Sequence, residues 1–85
     1  MDKNNDLLLN LDKLHTTEMG AERIVKNLKL SGKSAEYAME YCKKIISDKS
    51  CNIYRQGKNL YCELNGIKIT VNAHSFTVIT AHTIK

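Results

Sequence analysis

Apolar residues in the first half of the chain recur at helical spacing. Leu7, Leu8, Leu11 and Leu14 share one face of a helix whose N-cap is Asn4, Asn5 or Asp6. Thr16 or Thr17 caps a second helix with the stripe Ala21, Ile24, Val25 and Leu28, and Gly32 ends it. Ser34 caps a third, with Glu36 in its first turn and a stripe of Ala35, Ala38, Met39, Cys42, Ile45 and Ile46. A helix-turn-helix around "LSGKS" fits poorly, because Glu36 and Glu40 on the would-be recognition helix repel phosphates.

From residue 49 the period changes from helical to strand alternation. Asn65-Gly66 in "ELNGIK" suits a two-residue type I′ turn. That turn pairs Leu64 with Ile67, Glu63 with Lys68, Cys62 with Ile69, Tyr61 with Thr70 and Leu60 with Val71. Apolar residues then meet apolar ones and Glu63 meets Lys68, so the register is self-consistent. A Gly57-Lys58 turn of type II′ pairs Tyr54 with Tyr61 and Ile53 with Cys62. An Ala73-His74 turn would pair Val71 with Phe76, Thr70 with Thr77 and Ile69 with Val78, although neither central residue favours positive φ.

The expected fold is therefore α+β: three N-terminal helices packed on one face of a four-stranded antiparallel meander. One sheet face holds Cys51, Ile53, Leu60, Cys62, Leu64, Ile67, Ile69, Val71, Phe76 and Val78, and it needs the helices as cover. The other holds Asn52, Tyr54, Tyr61, Glu63, Lys68, Thr70, Thr77 and Ile79. The 85 residues make a single domain, 1–85, with a helical half (1–48) and a β half (49–85).

Charge divides along the same boundary. Residues 1–48 carry eight Lys/Arg and eight Asp/Glu, which cancel. Residues 49–85 carry Lys49, Arg55, Lys58, Lys68 and Lys85 against Glu63 alone, so the whole net charge of +4 lies there. A basic half beside a neutral one points to RNA or another polyanion as partner. No apolar run is long enough for a membrane span or a signal peptide, which implies a cytoplasmic protein with no membrane partner. Cys42, Cys51 and Cys62 have no zinc spacing and read as buried small residues. No metal or cofactor is expected.

Candidate chemistry falls into three sets. Arg55, Lys58, Asn59, Asn72 and His74 lie on the "RQGKN" and "NAHS" turns, which the meander brings to one end as a phosphate-binding rim. Tyr54, Tyr61, Thr70 and Thr77 form a cross-sheet row on the polar face, where the two tyrosines could stack bases with Lys58, Lys68 and Arg55 near the backbone path. Thr80 and His82 share the parity of Val78 and so point inward, toward His15 at the junction of the first two helices and Arg23 beyond it. His15, Arg23, Thr80 and His82 form the candidate catalytic cluster, with a structural network as the competing reading. His74 does not join it, since eight residues of strand place it about 26 Å from His82.

The stretches "LHTTEMGAERIVKNLKL", "YCKKII", "GKNLYCE" and "ITVNAHSFTVITAH" resemble a family of short bacterial proteins, domain-of-unknown-function family 3781, from about Leu7 to His82. The resemblance implies His15, Thr16, Thr17, Gly20, Arg23, Asn27, Gly57, Lys58, Asn59, Tyr61, Asn72, Thr80, Ala81 and His82 as positions of interest. Leu60 departs from the tryptophan of that pattern, which removes a stacking role there. The order of helices and sheet, the basic residues and the "TAH" ending are also similar to the metal-independent ribonuclease toxins grouped around barnase, the colicins and bacterial toxin endonucleases. That second resemblance is one of fold alone. Two function classes follow. One is an RNA-interacting module, with metal-independent endoribonuclease activity of toxin type as its catalytic form. The other is a non-catalytic protein-binding inhibitor or antitoxin-like protein from a phage or mobile element.

Overall fold

A computed structural model of the chain describes residues 7–30 and 35–84. The expected caps Asn4, Asn5, Asp6 and Ser34, and the expected helix stop Gly32, lie outside the described residues. Two α-helices, α1 (Glu18–Asn27) and α2 (Ala35–Ile46), precede four strands: β1 (Asn52–Gln56), β2 (Asn59–Leu64), β3 (Ile67–Asn72) and β4 (Val78–Thr83). The strands form one antiparallel sheet in the order β1-β2-β3-β4.

The first two hairpins match the sequence register pair for pair. Leu64 faces Ile67, Glu63 faces Lys68 and Cys62 faces Ile69; Tyr54 faces Tyr61 and Ile53 faces Cys62. The turns show why. Asn65 and Gly66 take φ of 51° and 80°, the two left-handed positions that a type I′ turn requires. Gly57 has φ of 63°, as the first central residue of a type II′ turn does.

The third hairpin differs from the expectation. Ala73–Thr77 form a five-residue connection between β3 and β4 in place of a two-residue turn. The Asn72 side-chain oxygen accepts the amides of His74 and Ser75, and the Asn72 carbonyl accepts the Phe76 amide at 2.9 Å. Phe76 holds φ of 57°, a conformation that a bulky residue adopts only when its surroundings hold it. Val71 faces Val78, but Thr70 faces Thr80, so Ile79 is the extra residue of a β-bulge. The bulge resets the alternation. Val78 and Ala81 both enter the core, with 1% and 0% of their surface exposed, whereas Thr80 and His82 turn to the polar face. Strict alternation from Val78 would have buried two polar side chains and left Ala81 outside, and the bulge avoids that cost.

Of the first expected helix, the described residues hold helical residues 7–9 and a 3-10 turn, Leu11–Lys13. Two of its stripe residues still serve: Leu7 and Leu14 are buried, while Leu8 is exposed. Three regular helices therefore do not pack on the sheet among the described residues. The Thr17 hydroxyl caps α1 by accepting the Gly20 amide. The helix ends before Gly32, with Lys29 in the left-handed region at φ of 56°. Leu30 N–H donates to the Val25 carbonyl and Lys29 N–H to Lys26, the pair of bonds that defines a Schellman end.

Ala38, Cys42, Ile45 and Ile46 of α2 join Ile24, Ile53, Leu60, Cys62, Ile69 and Val71 in one apolar core. Helix α1 packs along β4. Thr16 Oγ1 donates to the Val78 carbonyl at 2.8 Å, and a Cβ on Gly20 would run into that hydroxyl. Glycine at 20 is thus what lets the helix close on the strand. No helix among the described residues is long and apolar enough to cross a membrane.

Candidate nucleic-acid interface

The two turns that carry Lys58 and His74 are joined at one end of the sheet. The Ala73 amide donates to the Lys58 carbonyl at 2.9 Å, and Asn59 lies opposite Asn72 in the β2–β3 ladder. Arg55 reaches over its own turn, with Nε donating to the Gly57 carbonyl at 3.0 Å. Arg55, Lys58 and His74 are all exposed. The two turns expected to form the rim thus lie side by side, and the Asn72 side-chain oxygen is already occupied inside the loop.

Glu63, the one acidic residue after position 48, lies toward the opposite end of the sheet. It accepts a hydrogen bond from the Tyr54 hydroxyl and faces Lys68 across the ladder. The bond to Glu63, ahead of partial burial, raises the Tyr54 hydroxyl pKa above its ordinary value. Tyr54 stacks on Tyr61, with ring centroids 5.4 Å apart, and the Lys68 ammonium lies 4.7 Å over the Tyr61 ring. His82 is half-buried opposite Lys68, and Asn27 of α1 donates to Thr80 Oγ1 at 3.4 Å. The polar face is thereby a connected set of side chains, not a row of separate ones.

The four catalytic candidates are not brought to one point. His15 sits beside the β3–β4 loop and forms a parallel bridge to Thr77: its amide donates to Phe76 O, and its carbonyl accepts from Val78 N at 2.7 Å. The His15 ring joins a hydrogen-bond chain. Nδ1 lies 2.8 Å from the Lys13 carbonyl, which can only accept, so Nδ1 carries the proton. Nε2 shares a hydrogen bond with Thr77 Oγ1 at 2.9 Å, and Thr77 lies 2.7 Å from Ser75 Oγ. Arg23 lines a shallow depression with Thr17, Met19, Gly20, Thr77 and Ile79. His82 stands five residues along from Thr77, roughly 15 Å away in an extended strand, on the polar face. The inward-facing cluster with His82 is replaced by two sites: His15 with Thr77 and Ser75 at the loop end, and His82 with Thr80, Asn27 and Lys68 on the sheet.

Ser75 was not among the residues the sequence picks out for chemistry, and Thr77 was placed only in the cross-sheet row with the tyrosines. Lys68 was legible as the cross-strand partner of Glu63. The bond between His15 and Thr77 had no local signal, because 62 residues separate them. The three thiols are unpaired. Burial pushes Cys42 and Cys62 up to about 12. It also raises Cys51, with Asp48 adding to the effect. Among the described residues no group of three His, Cys, Asp or Glu side chains is gathered to hold a metal ion.

Comparison with known proteins agrees with the family resemblance and adds no activity. No curated protein and no solved structure matches the chain, so the resemblance to the ribonuclease toxins gains no support from them. One family model matches residues 8–82, and its description is "Protein of unknown function (DUF3781)". With nearly its whole length inside that match, the chain belongs to the DUF3781 family.

Proposed function

We propose that the chain is a small RNA-interacting module that holds its ligand by phosphates at the end of the sheet where Arg55, Lys58 and His74 meet. The observation that carries this reading is the hydrogen bond from the Ala73 amide to the Lys58 carbonyl. It sets two turns side by side, and with Arg55 they offer cations at an edge from which Glu63 is remote. Exposed cations at fixed spacing are what a phosphate backbone recognises.

The arrangement favours binding over cleavage. A metal-independent ribonuclease needs an acid and a base within hydrogen-bond reach of one phosphodiester. His15 and His82 lie at different sites, and His15 Nε2 is already engaged by Thr77. The test is fluorescence anisotropy with a labelled short RNA at low salt, comparing the native chain with the Arg55→Glu, Lys58→Glu double variant. The native chain is expected to bind without shortening the RNA, and the variant to lose at least tenfold in affinity. Equal affinity for both, or no binding by the native chain, overturns the reading.

A second reading, docking of a protein partner, draws on Met19 and Ile79, which are 66% and 37% exposed beside Arg23. Substituting both with serine would abolish capture of such a partner and leave RNA affinity unchanged.

A further inference from the structure

Two exposed tyrosines on a sheet normally invite the idea of a base-stacking platform. On this sheet the stacking surface is already used from within. Tyr54 lies against Tyr61 at 5.4 Å between centroids, with their planes 27° apart. The Lys68 ammonium sits 4.7 Å over the same Tyr61 ring. The Tyr54 hydroxyl is committed to Glu63, whose negative charge beside the ring pair disfavours an approaching phosphate. Lys68 faces Glu63 across the ladder, so the one lysine on this face is charge-matched within the protein. Thr70, in the next position of the Tyr54–Tyr61 row, is only 9% exposed and offers little surface to a base.

The loop end is the reverse case. Lys58 and His74 are exposed on adjoining turns. No tyrosine, phenylalanine or tryptophan lies between Arg55 and Lys58, or between Asn72 and Ser75. The chemistry there suits phosphate oxygens: its planar groups are the His74 imidazole and the Arg55 guanidinium, which bind phosphate as well, and Arg55 Nε is held by the Gly57 carbonyl.

We infer that the module reads the sugar-phosphate backbone and not the bases, so that its ligand is a polynucleotide of any sequence. This rests on the proposed RNA-binding reading and narrows it. The Tyr54–Tyr61–Lys68–Glu63 set is then a structural clasp across β1, β2 and β3, and the face it occupies stays clear of the ligand.

The test compares three labelled probes of equal length on the native chain at low salt: a mixed-sequence RNA, a poly-uridine RNA, and an oligomer whose sugar-phosphate backbone carries no bases. All three are expected to bind within about threefold of one another, because each stacked base would add at least about fivefold. The tyrosine fluorescence of the chain is expected to be the same with each probe. A second arm replaces Tyr61 by leucine, with folding followed by circular dichroism, and affinity is expected to stay within about twofold. If both base-bearing probes bind more than about fivefold tighter than the abasic one and quench tyrosine fluorescence, the inference falls while RNA binding stands. If poly-uridine and abasic probes both bind far more weakly than the mixed sequence, sequence readout replaces it. If no probe binds, the RNA-binding reading itself falls, and the inference with it.

Discussion

His82 sits opposite Lys68 on the polar face of the sheet, one strand position past an alanine that fills the core. The bulge at Ile79 produces this pairing, and it changes what a substitution at His82 should do. A buried, hydrogen-bonded histidine would cost about 1–3 kcal/mol on removal. At a half-exposed strand position His82→Gln is expected to change stability by less than about 0.5 kcal/mol. Chemical denaturation of the two proteins checks this, and a loss above about 1 kcal/mol would return His82 to a structural role.

Gly20 offers a test of opposite sign from the usual helix rule. Glycine to alanine inside a helix ordinarily stabilises by about 0.5–1 kcal/mol. Here the added methyl meets Thr16 Oγ1, which is bonded to the Val78 carbonyl, so Gly20→Ala is expected to destabilise by about 1–3 kcal/mol. With Thr16→Ala in place the same change should cost much less, and the double-mutant cycle measures the coupling. Additive effects would show that the two residues do not share this space.

Lys29 ends α1 with φ of 56°, where a side chain is strained and glycine is not. Lys29→Gly is expected to stabilise the protein by about 0.5–1 kcal/mol, seen as a higher Tm. Lys29→Ala should bring no such gain, since alanine meets the same strain.

Much of this was legible in the sequence because it is local. Asn65-Gly66 and Gly57 specify their turns through φ alone, and each register then checks itself through pairs such as Glu63 with Lys68. The third hairpin was not legible. Its loop is held by Asn72 and by His15, a residue from the other end of the chain, and Phe76 takes a conformation no local preference favours. The bulge was hidden for a related reason. "VITAH" reads as plain alternation if Val78 sets the phase, and only the burial of Ala81 shows that the phase slips at Ile79. One missed residue was enough to move His82 from the helices to the open face and to dissolve the expected cluster with His15. The 3-10 turn at Leu11–Lys13 interrupts the first expected helix, yet Leu7 and Leu14 keep their places in the core. The adjacency of the Lys58 and His74 turns was legible because it depended on the two well-specified turns and on β3 ending at Asn72.

The thiols set the alkaline limit of stability. Cys42 and Cys62 rise from about 9 to about 12 on folding, and Cys51 rises as well. The folded chain therefore holds these protons more tightly than the unfolded one. Their contribution is fully present below about pH 9 and is lost as pH climbs toward 12. Stability measured against pH should be level up to about pH 8.5 and fall above it. The same raised values make Cys42 and Cys62 poor nucleophiles. Alkylation of the native chain at pH 8 is expected at Cys51 first, with the other two labelled only in denaturant. Rapid labelling of Cys42 in the native chain would contradict the packing described for α2.

If Arg55 and Lys58 grip phosphate, RNA affinity must fall with salt in proportion to their contacts. Each phosphate contact to a single strand contributes a slope of about −0.7 in log K against log salt. The native chain is expected to show a slope of roughly −1.4 or steeper, as two or more contacts require. Arg55→Ala with Lys58→Ala should flatten it by about 1.4 and lower affinity equally for every RNA sequence. A slope that stays the same in the double variant, or an affinity that ignores salt altogether, would contradict the account.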